Sequence, residues 1–404
     1  MDCKNILGGV LLVSGTSIGA GMLALPVDTA ELGFFNASII FLLCWFFMTM
    51  SAFYMLEANL QFKNENLNLG SMAEYSLGIY GKVMAWIAYI ILLYALTAAY
   101  TTGTSSWIIK HLKYINIELS FNITACILSL LLALTAYTGT RGLDYVNRLF
   151  AITLYIGLAA LFLIILPETK TEYIYSDNHI FNISSIPLII TSFGFHIVIP
   201  SLTIYFARNI KKLNFVILLG GTIPLIIYLL WEYAILGSIP RTGEHSLAMI
   251  GNNGASPTVG ITNYLNAALN NSLISKISST ISVLAVVTSV IGVTMSLYDF
   301  LADTFKITEK CPKKYFGLSC LVFIPPLIFV IKYPEAFIFA LHFAGIFVAT
   351  LLGLLPILMV YSNRYILKLE NNYRVFGGKP MIFISFLFFA SVIIIETLNQ
   401  VGMI

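Results

Sequence analysis

Only 10% of the 404 residues are charged and 58% are apolar, against roughly 25% charged in an ordinary soluble domain, so most of this chain belongs in hydrocarbon. A formal charge of +3, spread through short loops with no tail of either sign, argues against nucleic acid as a partner. The cysteines Cys3, Cys44, Cys126, Cys311 and Cys320 contain no CxxC pair, so neither a disulfide framework nor a metal site is indicated.

Runs of roughly 20 apolar residues, the length that crosses a ~30 Å core, predict eleven spans. They lie near 6–32, 34–60, 82–110, 120–138, 146–166, 184–206, 213–237, 274–303, 315–332, 336–360 and 380–402. Residues 6–27 keep a Gly-interrupted pattern and ten further spans follow, which predicts that the first segment is retained and not cleaved as a signal peptide. Of the 22 Lys and Arg, all but Lys110, Lys113, Lys170, Arg241, Lys276 and Lys332 fall on the N-terminal side of this topology. Positive loops stay cytoplasmic, so the N-terminus is predicted inside and the C-terminus outside.

With that topology span 1 runs outward and span 6 inward. Spans 1–5 (about 6–166) and 6–10 (about 184–360) then form two repeats of opposite orientation, with span 11 (about 380–402) added, in one transmembrane domain. Span 1 is interrupted at Gly15-Thr16-Ser17-Ile18-Gly19-Ala20-Gly21, and span 6 at the matching place, Ser192-Phe193-Gly194-Phe195-His196. Unwound backbone at membrane depth is tolerated only where it lines a cavity or binds a ligand. The first turn exposes amide donors at the start of an outer half-helix, whose positive dipole end suits a carboxylate. The inner half-helix points its carbonyl end at a cation or ammonium group. Small residues that let helices pack closely are the competing explanation, and the second interruption weighs against it.

His196 sits at the second break and is a candidate proton carrier or hydrogen-bond partner of a phenol. His342 in span 10 is expected to be structural. In span 3, Thr97 and Tyr100 of Tyr94-Ala95-Leu96-Thr97-Ala98-Ala99-Tyr100 are three apart and share a face. The stretch 238–273, with Gly243, Gly251, Gly254, Pro257 and Gly260, predicts an outer loop with short surface helices. Acidic residues offer no clear mid-membrane group: Glu232 and Glu396 lie near outer ends of spans 7 and 11, and Asp28 and Glu31 are expected to be solvated. Asp299 and Asp303, i and i+4 near Lys306 and Lys310, suggest an inner gate or a loop ion-pair network.

These residues resemble the bacterial aromatic amino acid permeases, the hydroxy and aromatic amino acid permease family. The motifs are Gly15 to Pro26, Tyr94 to Tyr100, Ser192 to His196 with Pro200-Ser201, Leu236-Gly237-Ser238-Ile239, Tyr298 to Asp303, Pro325-Pro326, and Arg374 with Gly377-Gly378-Lys379-Pro380. The resemblance runs from end to end. It implies an all-α polytopic membrane protein with the leucine-transporter-like 5+5 inverted repeat, and secondary active uptake at the inner membrane. By that analogy the turn Thr16 to Gly21, chiefly Gly19, Ala20 and Gly21, binds the substrate carboxylate. Ser192, Phe193 and Gly194 hold the amino group or side chain, and Tyr94, Thr97 and Tyr100 border the pocket.

The span 3 stretch is similar to tyrosine carriers, whereas Leu56-Glu57-Ala58-Asn59-Leu60 and Lys379-Pro380-Met381 are similar to tryptophan carriers. A hydrogen bond to the phenol, from His196 or a nearby hydroxyl, rejects phenylalanine by a factor on the order of 10⁴. The resemblance implies proton coupling. Sodium-coupled relatives bind an ion between spans 1 and 8, which here draws on Gly15, Ile18, Thr288 and Ser289. Span 5 carries Thr153-Leu154-Tyr155 and no lysine within it, leaving the proton carrier open.

The expectation is a proton-coupled symporter importing tyrosine, with the lipid bilayer as its surroundings, no cofactor beyond H+ or Na+, and no obligate protein partner. Its rival is a permease for tryptophan or another neutral amino acid, with sodium coupling as an option. An intramembrane enzyme is the remote alternative, since no HExxH occurs and only His196 lies deep in a span.

Overall fold

The computed structural model describes residues 3–62, 69–138, 140–174, 183–241, 243, 246–252, 256–269, 271–305, 312–370 and 372–402. Side chains are described for these except residues 3–4, 137–138, 140–146, 148, 251–252, 272, 303 and 312–315. The described residues form helices joined by short connections, with no strand among them.

Eight helices are long and apolar enough to cross a membrane, and Asn5–Ser17 with Gly21–Asp28 makes a further span bent by 52°. Two shorter apolar helices, Phe121–Ala136 and Phe316–Lys332, occupy the places of spans 4 and 9. Several edges differ from the sequence reading. The helix of span 3 is Leu69–Tyr114, 46 residues, or about 69 Å at 1.5 Å per residue, too long for one crossing. Gly78, at φ 72°, lies inside it, in the left-handed region that glycine alone enters cheaply. Residues 69–77 thereby turn away from the crossing segment. Span 10 extends to Ile366 through two π-helical stretches, Ala349–Leu354 and Ser362–Ile366. The first presents the Leu352 carbonyl to the Ser51 hydroxyl of span 2.

The packing repeats itself. Span 7 packs on the N-terminal half of span 1 and span 2 on span 6; span 8 packs on span 5 and span 10 on span 3. Exchanging each span with the one five places away (1 with 6, 2 with 7, 3 with 8, 5 with 10) turns the first contact of each pair into the second. Spans 2 and 7, 3 and 8, and 4 and 9 pair with each other, contacts that map onto themselves. Span 11 lies against span 10, outside this pattern.

At one end, Glu57 of span 2 and Arg364 of span 10 form a buried two-point ion pair at 2.6 and 2.5 Å. Glu57 also accepts the Val375 amide at 2.7 Å while Arg364 donates to the Val375 carbonyl at 3.0 Å. The carboxylate is thus met by three N–H donors, as a buried charge requires, and the approach to span 11 is pinned.

The segment 238–273 contains the helices Leu247–Asn252 and Pro257–Leu269. As expected they are short, and Pro257–Leu269 keeps a solvent-facing side at Asn263, Asn266, Ala267 and Ala268 while its other side packs inward. Thr258, Ile261, Thr262 and Leu265 are buried, and both helices pack on the C-terminal half of span 1. The buried face is built from Thr and Gly beside Ile and Leu, which is why the stretch looks polar in sequence.

Candidate functional site

Both breaks are real interruptions. Span 1 unwinds over residues 18–20 between Cys3–Ser17 and Gly21–Asp28. Span 6 stops at Ser192 and resumes as a 3₁₀ turn at His196–Val198 and a helix at Ile199–Tyr205.

The span 1 turn is held by its neighbours. The Ala20 amide donates to Ser289 Oγ of span 8 at 2.9 Å, and Ser289 Oγ donates to the Ala285 carbonyl at 2.8 Å. A Cβ on Gly19 would overlap Ser289 Oγ, and one on Gly21 would stand 2.9 Å from Ser192 Oγ of span 6. Glycine is thus required by close approach. Within the turn, the Met22 and Leu23 amides fold back on the Gly19 and Ala20 carbonyls at 3.2 and 3.1 Å.

Tyr228 of span 7 joins the two breaks. It is fully buried, and its hydroxyl lies 2.7 Å from the Ser17 carbonyl and 2.8 Å from the Ser192 carbonyl. These carbonyls end the first half-helix of each broken span. One O–H donates to only one acceptor at a time, so the second carbonyl remains able to take a donor from elsewhere. Phe193 packs edge-on against Tyr228, ring centroids 5.2 Å apart.

The other expected residues sort into groups. Ser192 and Phe193 are buried at the junction, and Gly194 follows against Leu352 of span 10. Thr97 is buried with its hydroxyl unpaired, and Tyr100 is buried nearby on the same helix. Tyr94 turns elsewhere: its hydroxyl donates to the Leu321 carbonyl of span 9 at 2.8 Å. Thr16 bonds back to the Leu12 carbonyl at 2.7 Å. Gly15 is exposed, with Tyr155 Oη of span 5 beside it, and the Ile18 amide donates to Ser14 at 3.0 Å. Thr288 bonds to Leu284 and Ala285 in its own helix, as hydroxyls in helices commonly do.

His196 is fully buried against Phe195, centroids 5.2 Å apart, and neither ring nitrogen makes a well-formed hydrogen bond. Its polar neighbour is the Met48 backbone of span 2.

The acidic groups depart most from expectation. Asp28 is not simply solvated: its Oδ1 meets His342 Nε2 at 2.8 Å, and its backbone carbonyl accepts from Ser185 at 3.1 Å. His342 Nδ1 meets Glu396 Oε2 at 3.2 Å, and Gln400 donates to Glu396 Oε1 at 2.6 Å. Glu232 is fully buried and meets the Thr29 hydroxyl. Glu31 and Asp299 are exposed, and Lys306 and Lys310, named as partners of Asp299 and Asp303, lie outside the described residues. Sequence reasoning passed over Tyr228, although Pro224, Tyr228 and Glu232 stand at i, i+4 and i+8 and mark one buried face of span 7.

A polytopic helical protein with two broken spans clasped side by side has the anatomy of a membrane transporter. Comparison with known proteins agrees: the tryptophan/tyrosine permease family model matches residues 2–396, and the chain belongs to that family. It is 30% identical to tyrosine-specific transport system 2 of Haemophilus influenzae, over 99% of this chain and 98% of that protein. Tyrosine-specific transport system 1 of the same organism is 32% identical over 93% and 92%. The tryptophan-specific transport protein of Pseudomonas aeruginosa is 30% identical over 95% and 92%. The chain is therefore an amino acid transporter of the aromatic permease family, a multi-pass membrane protein and not an enzyme.

Proposed function

We propose that this protein imports tyrosine across the bacterial inner membrane as a proton-coupled symporter working by alternating access. The observation that carries the reading is Tyr228, whose hydroxyl stands between the Ser17 and Ser192 carbonyls and so makes one site of two breaks. Repetition of packing under a five-span shift supports two inverted repeats, and two of the similar proteins are named as tyrosine-specific.

In this reading the substrate carboxylate binds the turn Gly19-Ala20-Gly21, at the amide end of the second half-helix. Ser289 holds that turn in shape through the Ala20 amide. The ammonium group is drawn to the Ser17 and Ser192 carbonyls, at the negative ends of their half-helices. Phe193, Tyr100 and Tyr228 offer aromatic faces to the ring, and the unpaired Thr97 hydroxyl is a candidate partner for a phenol. Tyr94 is committed to span 9 and takes no part. The N-terminus is cytoplasmic and the C-terminus periplasmic, as the Lys and Arg distribution requires.

A tryptophan permease is the second reading, favoured by the tryptophan-specific relative. Uptake of labelled tyrosine into proteoliposomes, under an inward proton gradient or an inward sodium gradient, decides between these. Accumulation on the proton gradient, competed by tyrosine well before tryptophan, phenylalanine or serine, is expected. Preferential competition by tryptophan would move the substrate, and accumulation on sodium alone would move coupling to Ser289 and Thr288.

A further inference from the structure

On one side of the breaks, four ionisable side chains from four spans converge. Asp28 ends the second half of span 1, Glu232 is in span 7, His342 in span 10 and Glu396 in span 11. Glu232 and Glu396 are fully buried, His342 is 7% exposed, and the Asp28 side chain is 14% exposed. Such groups are costly in a membrane and mark ion or proton pathways more often than packing.

The geometry itself counts protons. Both ring nitrogens of His342 face carboxylate oxygens, Asp28 Oδ1 at 2.8 Å and Glu396 Oε2 at 3.2 Å. A neutral imidazole has one N–H. Two such contacts are satisfied only when the trio holds one additional proton, on the ring or on a carboxyl group. A second count comes from Thr29, whose hydroxyl contacts both the Leu25 carbonyl at 2.8 Å and Glu232 Oε1. One hydroxyl hydrogen serves one acceptor, so both contacts are bonds only when Glu232 is the acid and donates to Thr29. Asp28 Oδ2 and Glu232 Oε2 are each buried without a partner, leaving two further positions for a proton.

We propose that Asp28, Glu232, His342 and Glu396 form the proton-binding site through which the proton gradient controls the outer half of span 1. The proposal rests on the proton-coupled reading above and supplies the carrier that reading lacks. Asp28, the least buried member, takes the proton from the outer aqueous phase. Glu232, on which the Asp28 charge acts, takes a proton of its own and donates to the Thr29 hydroxyl oxygen. Bound, one proton lets His342 bridge spans 1, 10 and 11 and a second, on Glu232, lets Thr29 tie span 1 to span 7, docking the half-helix Gly21–Asp28. Released, one His342 contact loses its hydrogen and the Thr29 hydroxyl can serve only one of its two acceptors, so the half-helix undocks. Tyr228, one turn before Glu232 on the same face of span 7, links this row to the breaks.

The connection 166–174, packed on span 7, carries Glu168, Lys170 and Glu172, all exposed. The groups acting on His342 are Asp28 and Glu396, and the charge acting on Glu232 is Asp28. The half of span 6 at Ile186–Ser192 and the helices Leu247–Asn252 and Pro257–Leu269, which pack on the half-helix, carry no charged residue. Span 3, packed on span 10, has its charged residues near its ends.

The test compares purified wild type with Glu232→Gln, His342→Gln and Glu396→Gln in proteoliposomes. It reads proton-driven accumulation of labelled tyrosine over a range of external pH, and tyrosine counterflow without a gradient. Gradient-driven accumulation is expected to fall about tenfold or more in Glu232→Gln and His342→Gln and to lose its pH dependence, within the roughly 5–150-fold range of coupled sites. Counterflow is expected to persist. Should Glu232→Gln not fold, Glu396→Gln carries the same expectation. Variants that accumulate tyrosine like wild type overturn the proposal, as does equal loss of counterflow and accumulation in a variant with an unchanged melting temperature. If wild type itself accumulates tyrosine without using a proton gradient, the proton-coupled reading falls, and the proposal with it.

Discussion

The two helix breaks occupy equivalent places in the chain but are held open by different means. After Ile18 the span 1 turn runs through Gly19-Ala20-Gly21, with little or no side chain, and its shape is imposed from outside by Ser289 and Ser192. The span 6 turn carries Phe193, Phe195 and His196, all buried, and closes on itself. The Phe193 amide bonds to Ile190 at 3.1 Å, Gly194 to Thr191 at 3.3 Å, and Val198 to Phe195 at 3.2 Å. One break is thus a close fit between three helices, whereas the other is a local fold with bulky residues packed around it. The difference teaches that added volume is ruinous at the first and tolerable at the second.

Substitutions sharpen that contrast. The largest effect is expected for Gly21→Leu, since even a Cβ stands 2.9 Å from Ser192 Oγ and a leucine has nowhere to go; uptake in cells at normal expression should fall by about 100-fold or more. Gly19→Ala should follow, at about tenfold, by displacing the Ser289 hydroxyl and breaking its bond to Ala20. Adding Ser289→Ala removes the colliding oxygen, so the double variant should transport better than Gly19→Ala alone, a non-additive result that only direct contact produces.

Tyr228→Phe keeps the ring and deletes the bridge between the breaks. A buried hydrogen bond is worth about 0.5–1.5 kcal/mol, so a rise of roughly two- to tenfold in the apparent KM for tyrosine is expected. Gly194→Ala should be the mildest, under about threefold, because its Cβ meets the Thr191 carbonyl at 3.2 Å and a flexible Leu352 methyl at 3.4 Å, a contact small shifts relieve. If Gly194→Ala were as damaging as Gly19→Ala, the distinction between the breaks would collapse.

Much of the fold was legible because membrane insertion writes itself as apolar length, and because Gly and His interrupt such runs conspicuously. Positions of Gly19, Gly21, Ser192 and Phe193 at the junction followed from that. What stayed hidden depended on contacts between distant spans. Tyr94 and Tyr100 are six apart in one motif, yet Tyr94 is bonded to span 9 while Tyr100 is buried beside Thr97. Asp28 and Glu396 stood at predicted outer ends, where a carboxylate is ordinarily solvated, and only the packing of span 10 between spans 1 and 11 reveals the imidazole that joins them. Glu57, noted in the sequence only as part of a family motif, proves to be the buried partner of Arg364. The short helices of 238–273 were expected, but their packing on the second half of span 1 was not.

The central claim is that an aromatic amino acid is held where the two breaks meet. Equilibrium binding of labelled tyrosine to the purified protein, with wild type and Gly21→Leu side by side, tests it without dependence on coupling or orientation. Saturable binding displaced by unlabelled tyrosine in wild type, and none in a folded Gly21→Leu variant, is the result expected. Wild-type binding in Gly21→Leu would place the substrate elsewhere and contradict the account.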